Sequence, residues 1–220
     1  MSRLVDPIIE QLRQQLFRMG SRAEAILDKS LRAVWERDAA LAEGVAADDV
    51  EIDRLDVAID EAVLKVLALQ APVAEDLREV MAVKMIANDL ERVGDLARNI
   101  AKSARRLSAH PVVPMPASLT SLARSSQRVL RSALDAFARS DGHLARRVLA
   151  EDDEIDRVQD AVIQSVLREL ERHPEAASQE VDIILVAKNL ERVGDHATNI
   201  AEDVILVVEA RNVKHASKLA

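Results

Sequence analysis

Two segments of this chain are nearly identical: DLERVGDLARNIA at 89–101 and NLERVGDHATNIA at 189–201, an offset of 100 residues. Upstream, DVEIDR at 49–54 aligns with DDEIDR at 152–157, at an offset of 103. Asp38, Leu41, Ala42 and Val45 align with Asp141, Leu144, Ala145 and Val148 at that same offset. Solenoid units span about 20–50 residues. A longer period reads as a duplicated domain, so both halves must take the same fold.

Within each half the apolar residues step by three and four, the heptad signature of packed helices. In the third helix they run Val83, Ile86, Leu90, Val93, Ala97, Ile100, Ala104, Leu107. In the sixth they run Ile183, Val186, Leu190, Val193, Ala197, Ile200, Val204, Val207. The second helix reads Ile52, Leu55, Ile59, Ala62, Val66, Leu69, and the first Ile9, Leu12, Leu16, Met19, Ala23, Ile26. Apolar residues make up 49% and aromatics 1%, so the core is aliphatic, and the helix formers Ala, Leu, Glu and Arg dominate. No segment shows sustained strand alternation.

Proline supplies the punctuation. Pro7 sits in a first helical turn, and Pro72 and Pro174 mark later joints. Pro111, Pro114 and Pro116 stiffen HPVVPMPAS at mid-chain. Short joints at Asp38, Pro72, Gly142 and Pro174 imply antiparallel neighbours. The expected fold is all-α: two tandem antiparallel three-helix bundles with six long helices. Residues 1–110 form the first, 111–118 the proline-rich linker and 119–220 the second. Helices of about 30 residues would be about 45 Å long.

Other features narrow the function. Without cysteine there is no disulfide, thiolate site or cysteine nucleophile. The start, MSRLVDPIIEQLRQQLF, lacks a signal peptide's apolar run, and no stretch reaches the roughly 18 apolar residues of a spanning helix. A cytoplasmic protein without membrane insertion is expected. A net charge of −8 disfavours nucleic acid and suits cations or basic protein partners. No histidine follows Glu or Asp by three residues, so the Glu-x-x-His pattern of di-iron bundles is absent. Neither a phosphate loop nor a nucleophile elbow is present.

Acidic pairs carry the remaining signal. Glu91, Asp95 and Asn99 fall at i, i+4, i+8 on one helix face, and Glu191, Asp195 and Asn199 repeat them. Asp49 with Asp53, and Asp152 with Asp156, form pairs on the second helix of each half. Glu91 and Asp95 lie off the apolar seam through Leu90, Val93 and Ala97, so that stripe is expected to be exposed. If the second and third helices are neighbours, two pairs converge, and a cation removes their repulsion. Their oxygens are hard donors suited to magnesium, calcium, manganese or iron. Solvated helix faces neutralised by Arg54, Arg92, Arg157 and Arg192 are the bland alternative. Gly94 and Gly194 cost each helix up to about 1 kcal/mol and permit a close approach. His196 reads as a surface residue, Trp35 as a packing residue closing the first helix, and Arg105 and Arg106 as a basic helix end.

The duplicated acidic motifs resemble the PhoU family of phosphate-specific transport accessory proteins, over essentially the whole chain. VAIDEAVLKVLALQAPVAEDLREVMAVKMIANDLERVGDLARNI is especially similar to its pattern. The resemblance implies a non-enzymatic adaptor between the phosphate ABC transporter and a sensor histidine kinase. Such proteins restrain high-affinity phosphate uptake and keep the phosphate-starvation (Pho) regulon off when phosphate is plentiful. It also implies contacts to the transporter's ATPase subunit and the kinase's PAS-type region, and a homodimer. Divalent or trivalent metal cations (magnesium, manganese, iron or zinc) would be bound through Asp49, Asp53, Glu91, Asp95 and Asn99, and through Asp152, Asp156, Glu191, Asp195 and Asn199. Asp56 and Asp60 become Gln159 and Ile163 in the second half, so the two sites are expected to differ. The alternatives are a metal-dependent, phosphatase-like enzyme using the same carboxylates, and a purely structural helical scaffold.

Overall fold

The computed structural model describes residues 6–214, among which seven α-helices build the fold. They are α1 (Asp6–Glu36), α2 (Ala39–Gln70), α3 (Ala74–Ser108), α4 (Ala117–Arg139), α5 (Gly142–Ala150), α6 (Asp152–Arg172) and α7 (Ala177–Glu209), with a 3₁₀ turn at Pro174–Ala176. In the first half α1, α2 and α3 pack on one another; in the second, α4 packs on α5, α6 and α7. This is the expected pair of three-helix bundles, with one difference. The middle helix of the second half is broken at Glu151, whose N–H bonds Val148 O at 3.1 Å. Asp152, Asp153 and Glu154 then open α6, where negative charge favours a helix N-terminus.

The two halves use the same capping device. Asp38 accepts hydrogen bonds from Ala40 N at 2.8 Å and Leu41 N at 3.0 Å at the start of α2. Its repeat partner Asp141 accepts from Leu144 N at 2.9 Å at the start of α5. Each such cap is worth about 1 kcal/mol. Residues 109–116 form the connection from α3 to α4.

The core is aliphatic. Every seam residue named for α1 and α3 is buried, and in α7 all but the half-buried Val207. The α2 seam differs from the sequence reading. Ile52, Ile59, Val63 and Val66 are buried, Leu55 and Ala62 are half-buried, and Leu69 is 68% exposed. The true seam runs back through Asp49 and Val45, in steps of three and four. Trp35 does not close the core: it is 36% exposed at the end of α1.

The halves join through α3 against α7, with α1 touching α4. Polar groups stud this junction. His196 Nδ1 lies 2.7 Å from Oδ1 of buried Asp89, and Asn199 Nδ2 donates to the same oxygen at 3.2 Å. Arg106 Nε donates to Asp182 Oδ1 at 2.8 Å and its Nη2 to Ser103 Oγ at 2.9 Å. Residue order along these pairs makes the two helices antiparallel. His196 is thus a junction residue rather than the surface residue expected.

Candidate functional site: the two acidic faces

Gly94 and Gly194 set the geometry. A Cβ on Gly94 would stand 2.6 Å from Asp49 Oδ1 and 3.3 Å from Ile52 Cδ1; on Gly194 it would stand 2.9 Å from Ile155 Cδ1. Each glycine is a notch that receives the repeat-equivalent isoleucine of the neighbouring helix. The notches draw α2 onto α3 and α6 onto α7, carrying their acidic pairs together. The stripes are accordingly less open than expected. Asp49 is 1% exposed, Glu91, Asp95, Asp152 and Glu191 are half-buried, and Asp53, Asp156 and Asp195 are exposed. Asp49 and Asp56 occupy seam positions between Val45, Ile52 and Ile59. That is the signal a longer reading of the heptad would have caught.

In the first half the acids other than Asp53 are already paired. Arg98 Nη1 donates to Asp49 Oδ2 at 2.7 Å, and its Nη2 to Asp95 Oδ1 at 2.5 Å. Arg92 reaches Glu91 at 3.3 Å and Asp95 at 3.4 Å. Lys84 bridges Asp56 and Asp60. Burial pushes the Asp49 carboxyl above its usual range, Arg98 opposes, and Asp53 and Asp95 add to the rise. Glu91 is raised likewise by burial, against Arg92 and with Asp95, Asp56 and Asp53. Asn99 turns toward Lys102, whose Nζ donates to its Oδ1 at 3.1 Å. Arg98 and Lys84 were missed by the motif, which singled out acids and their immediate neighbours.

The second half lacks both cations. At the offset of 100, Arg98 becomes Thr198 and Lys84 becomes Ile184. Thr198 Oγ1 bonds Asp195 O at 2.7 Å, within its own helix. Among the described residues, Asp152, Asp156, Glu191 and Asp195 form no ion pair. Burial, then the charges of Asp156, Asp195, Asp153 and Glu202, all push the Asp152 carboxyl up. Burial and Asp156 raise Asp195, against His196 and Arg192. Burial, Asp195 and Asp156 raise Glu191, against Arg192 and Lys188. Asn199 leaves this stripe, since its amide serves Asp89 across the junction.

The duplicated motif therefore yields two unlike faces. One carries an internal guanidinium and ammonium. The other leaves carboxylates facing one another. As the side chains stand, no three or more His, Asp or Glu among the described residues are gathered into a group able to hold a metal ion. By charge and donor type the second face still fits a hard cation, which would relieve repulsion that Arg192, Lys188 and His196 offset only in part, without an ion pair among the described residues. In the first, Arg98 already does that work.

Comparison with known proteins adds an independent line. A family model described as the PhoU domain matches residues 16–104 and 119–204. The phosphate-specific transport system accessory protein PhoU homolog of Xylella fastidiosa (strain 9a5c) is 35% identical, over 94% of this chain and 88% of its own. The phosphate-specific transport system accessory protein PhoU of Escherichia coli (strain K12) is 31% identical, over 94% and 86%. The crystal structure of PhoU from Pseudomonas aeruginosa superposes with a TM-score of 0.91 at 32% identity, covering 94% of this chain and all of that one. The phosphate transport system regulatory protein PhoU from Streptococcus pneumoniae gives a TM-score of 0.87 at 25% identity, over 94% and 98%.

Proposed function

Because this chain belongs to the PhoU family, we propose that it is a non-enzymatic regulator of phosphate homeostasis. It serves the phosphate transport system as an accessory protein. In high phosphate it restrains uptake and holds the phosphate-starvation regulon off, coupling the transporter's ATPase subunit to the PAS-type region of a sensor histidine kinase. It acts in the cytoplasm as a homodimer; no helix among the described residues is long and apolar enough to cross a membrane. The observation that carries this reading is the similarity to accessory proteins of phosphate transport along 94% of the chain.

Metal binding belongs to the same proposal. A divalent or trivalent cation (magnesium, manganese, iron or zinc) would be held by Asp152, Asp156, Glu191 and Asp195. It would supply the positive charge that Arg98 supplies to Asp49 and Asp95 in the first half. The chain's own residues then do the rest: the Gly194 notch fixes α6 against α7 and so brings the acids of the two helices side by side.

A starvation-promoter reporter in high phosphate tests the regulatory role. A deletion strain should derepress, and the wild-type protein should restore repression at equal protein level. Glu191→Gln combined with Asp195→Asn should restore it poorly. A reporter that stays repressed in the deletion strain refutes the regulator reading. Full repression by the double variant refutes the part assigned to the acids.

A further inference from the structure

A groove lies beside the linker, in the second half, and shares no residue with the acidic faces. Its walls are the linker at His110–Pro114, the end of α6 at Glu169 and His173, and the start of α7 up to Glu180. Its volume is about 610 Å³, within the range of sites that enclose a ligand of some size. Pro111, Val112, Val113 and Pro114 form an apolar side, and Val112 is 78% exposed. Among the described residues, 111–115 make no backbone–backbone hydrogen bonds, which leaves their carbonyls and the N–H groups of Val112, Val113 and Met115 without backbone partners.

The charge in the groove is unbalanced. Among the described residues no Lys or Arg lines it, whereas Glu169, Glu175 and Glu180 do. Glu169 pairs with Arg172 at 3.1 Å, and Glu175 with His173 at 3.2 Å. Among the described residues Glu180 has no such partner. It is 2% exposed, and its Oε2 is buried without a hydrogen bond. Burial, then the neighbouring Glu169, pushes its carboxyl above the usual range. An unpartnered buried carboxylate is costly. Nothing in the helix demands one, since the repeat-equivalent position in α3 is Val80, which is fully buried. The carboxylate fits a role toward something that enters the groove.

We propose that the groove receives an extended segment of a partner protein, whose arginine side chain enters to pair with Glu180. Arginine suits the site because its planar fork bonds a carboxylate through two parallel N–H groups and is weakly hydrated, hence cheap to bury. Apolar residues on either side of the arginine lie against Val112 and the prolines. The partner backbone meets the free groups of 111–115, as an added strand meets a sheet edge.

The probe is a capped, fluorescein-labelled pentapeptide with a central arginine flanked by valines, titrated into the full chain and read by anisotropy. Its control carries citrulline, which keeps the shape and removes the charge. Saturable binding is expected, weakened at least about tenfold by citrulline, by Glu180→Gln and by Val112→Lys. Glu180→Gln removes an unpaired charge and Val112 is exposed, so both variants should melt no lower than wild type. Equal binding of the two peptides, or undiminished binding by folded Glu180→Gln, overturns the proposal. Arginine amide binding as tightly as the peptide would overturn it in favour of a small-cation site. Self-association lost on Glu180→Gln, without peptide binding, would make the occupant a second copy of this chain.

Discussion

Arg98 holds Asp49 across the α2–α3 interface, Nη1 to Oδ2, at 2.7 Å. Asp49 is almost wholly buried while the arginine remains partly open to water. The same guanidinium reaches Asp95, so one side chain gathers an acid from each helix. At the equivalent place in α7 stands Thr198, too short and uncharged to do either.

Arg98→Thr gives the first half the second half's residue and strands a buried carboxylate. The expected loss is about 2 kcal/mol, below the usual cost of breaking a fully buried pair because Arg98 is partly solvated. Urea denaturation measures it. Adding Asp49→Asn should recover most of the loss; a loss that persists would assign the effect to Arg98 packing instead.

The glycine notches should differ in their tolerance. Gly94→Ala places a methyl against Oδ1 of Asp49, whose other oxygen Arg98 holds, whereas Gly194→Ala meets the tip of the Ile155 side chain. Overpacking of this kind costs about 1–3 kcal/mol. Gly94→Ala should lie at the upper end and Gly194→Ala at the lower, as read by thermal melts of the two variants. The reverse order would show that Asp49 is not held as described.

Asp203 gives the second bundle a pH dependence. Its side chain is fully buried in α7, with Lys214 Nζ at 2.9 Å, and burial lifts its pKa from 3.8 to about 6 despite that lysine. Well below pH 3.8 the carboxyl is protonated in both folded and unfolded chains and contributes no difference. As pH rises toward 6 the unfolded chain gives up the proton first, so stability falls, and above the folded pKa the full cost is present. Asp203→Asn should therefore raise the melting temperature near pH 8, by an amount corresponding to on the order of 2 kcal/mol, and leave it nearly unchanged well below pH 3.8. An equal effect at both pH values would contradict this.

The helices were legible because the heptads of α1, α3 and α7 are continuous and uninterrupted by polar residues. The α2 seam was harder. Asp49 and Asp56 stand at core positions, so a reading that follows apolar residues alone slides onto Leu55, Ala62 and Leu69. The break at Glu151 has no proline or glycine to announce it, and the similarly acidic stretch at 48–53 runs through α2 unbroken. The acidic pairs were visible as i, i+4 spacings. Their depth was not, because it depends on the glycine notches, nor were Arg98 and Lys84, which reach the acids from other helical turns. The junction contact of His196 with Asp89 spans 107 positions and leaves no local pattern.

The claim that the repeated motif is satisfied from within in one half and from outside in the other is tested most directly by titration calorimetry with manganese(II). Wild type, Glu91→Gln with Asp95→Asn, and Glu191→Gln with Asp195→Asn would be compared. Saturable binding by wild type is expected, with closely similar binding by the first double variant and loss of binding by the second. Binding lost through the first-half variant and kept through the second, or no binding by wild type, would contradict it.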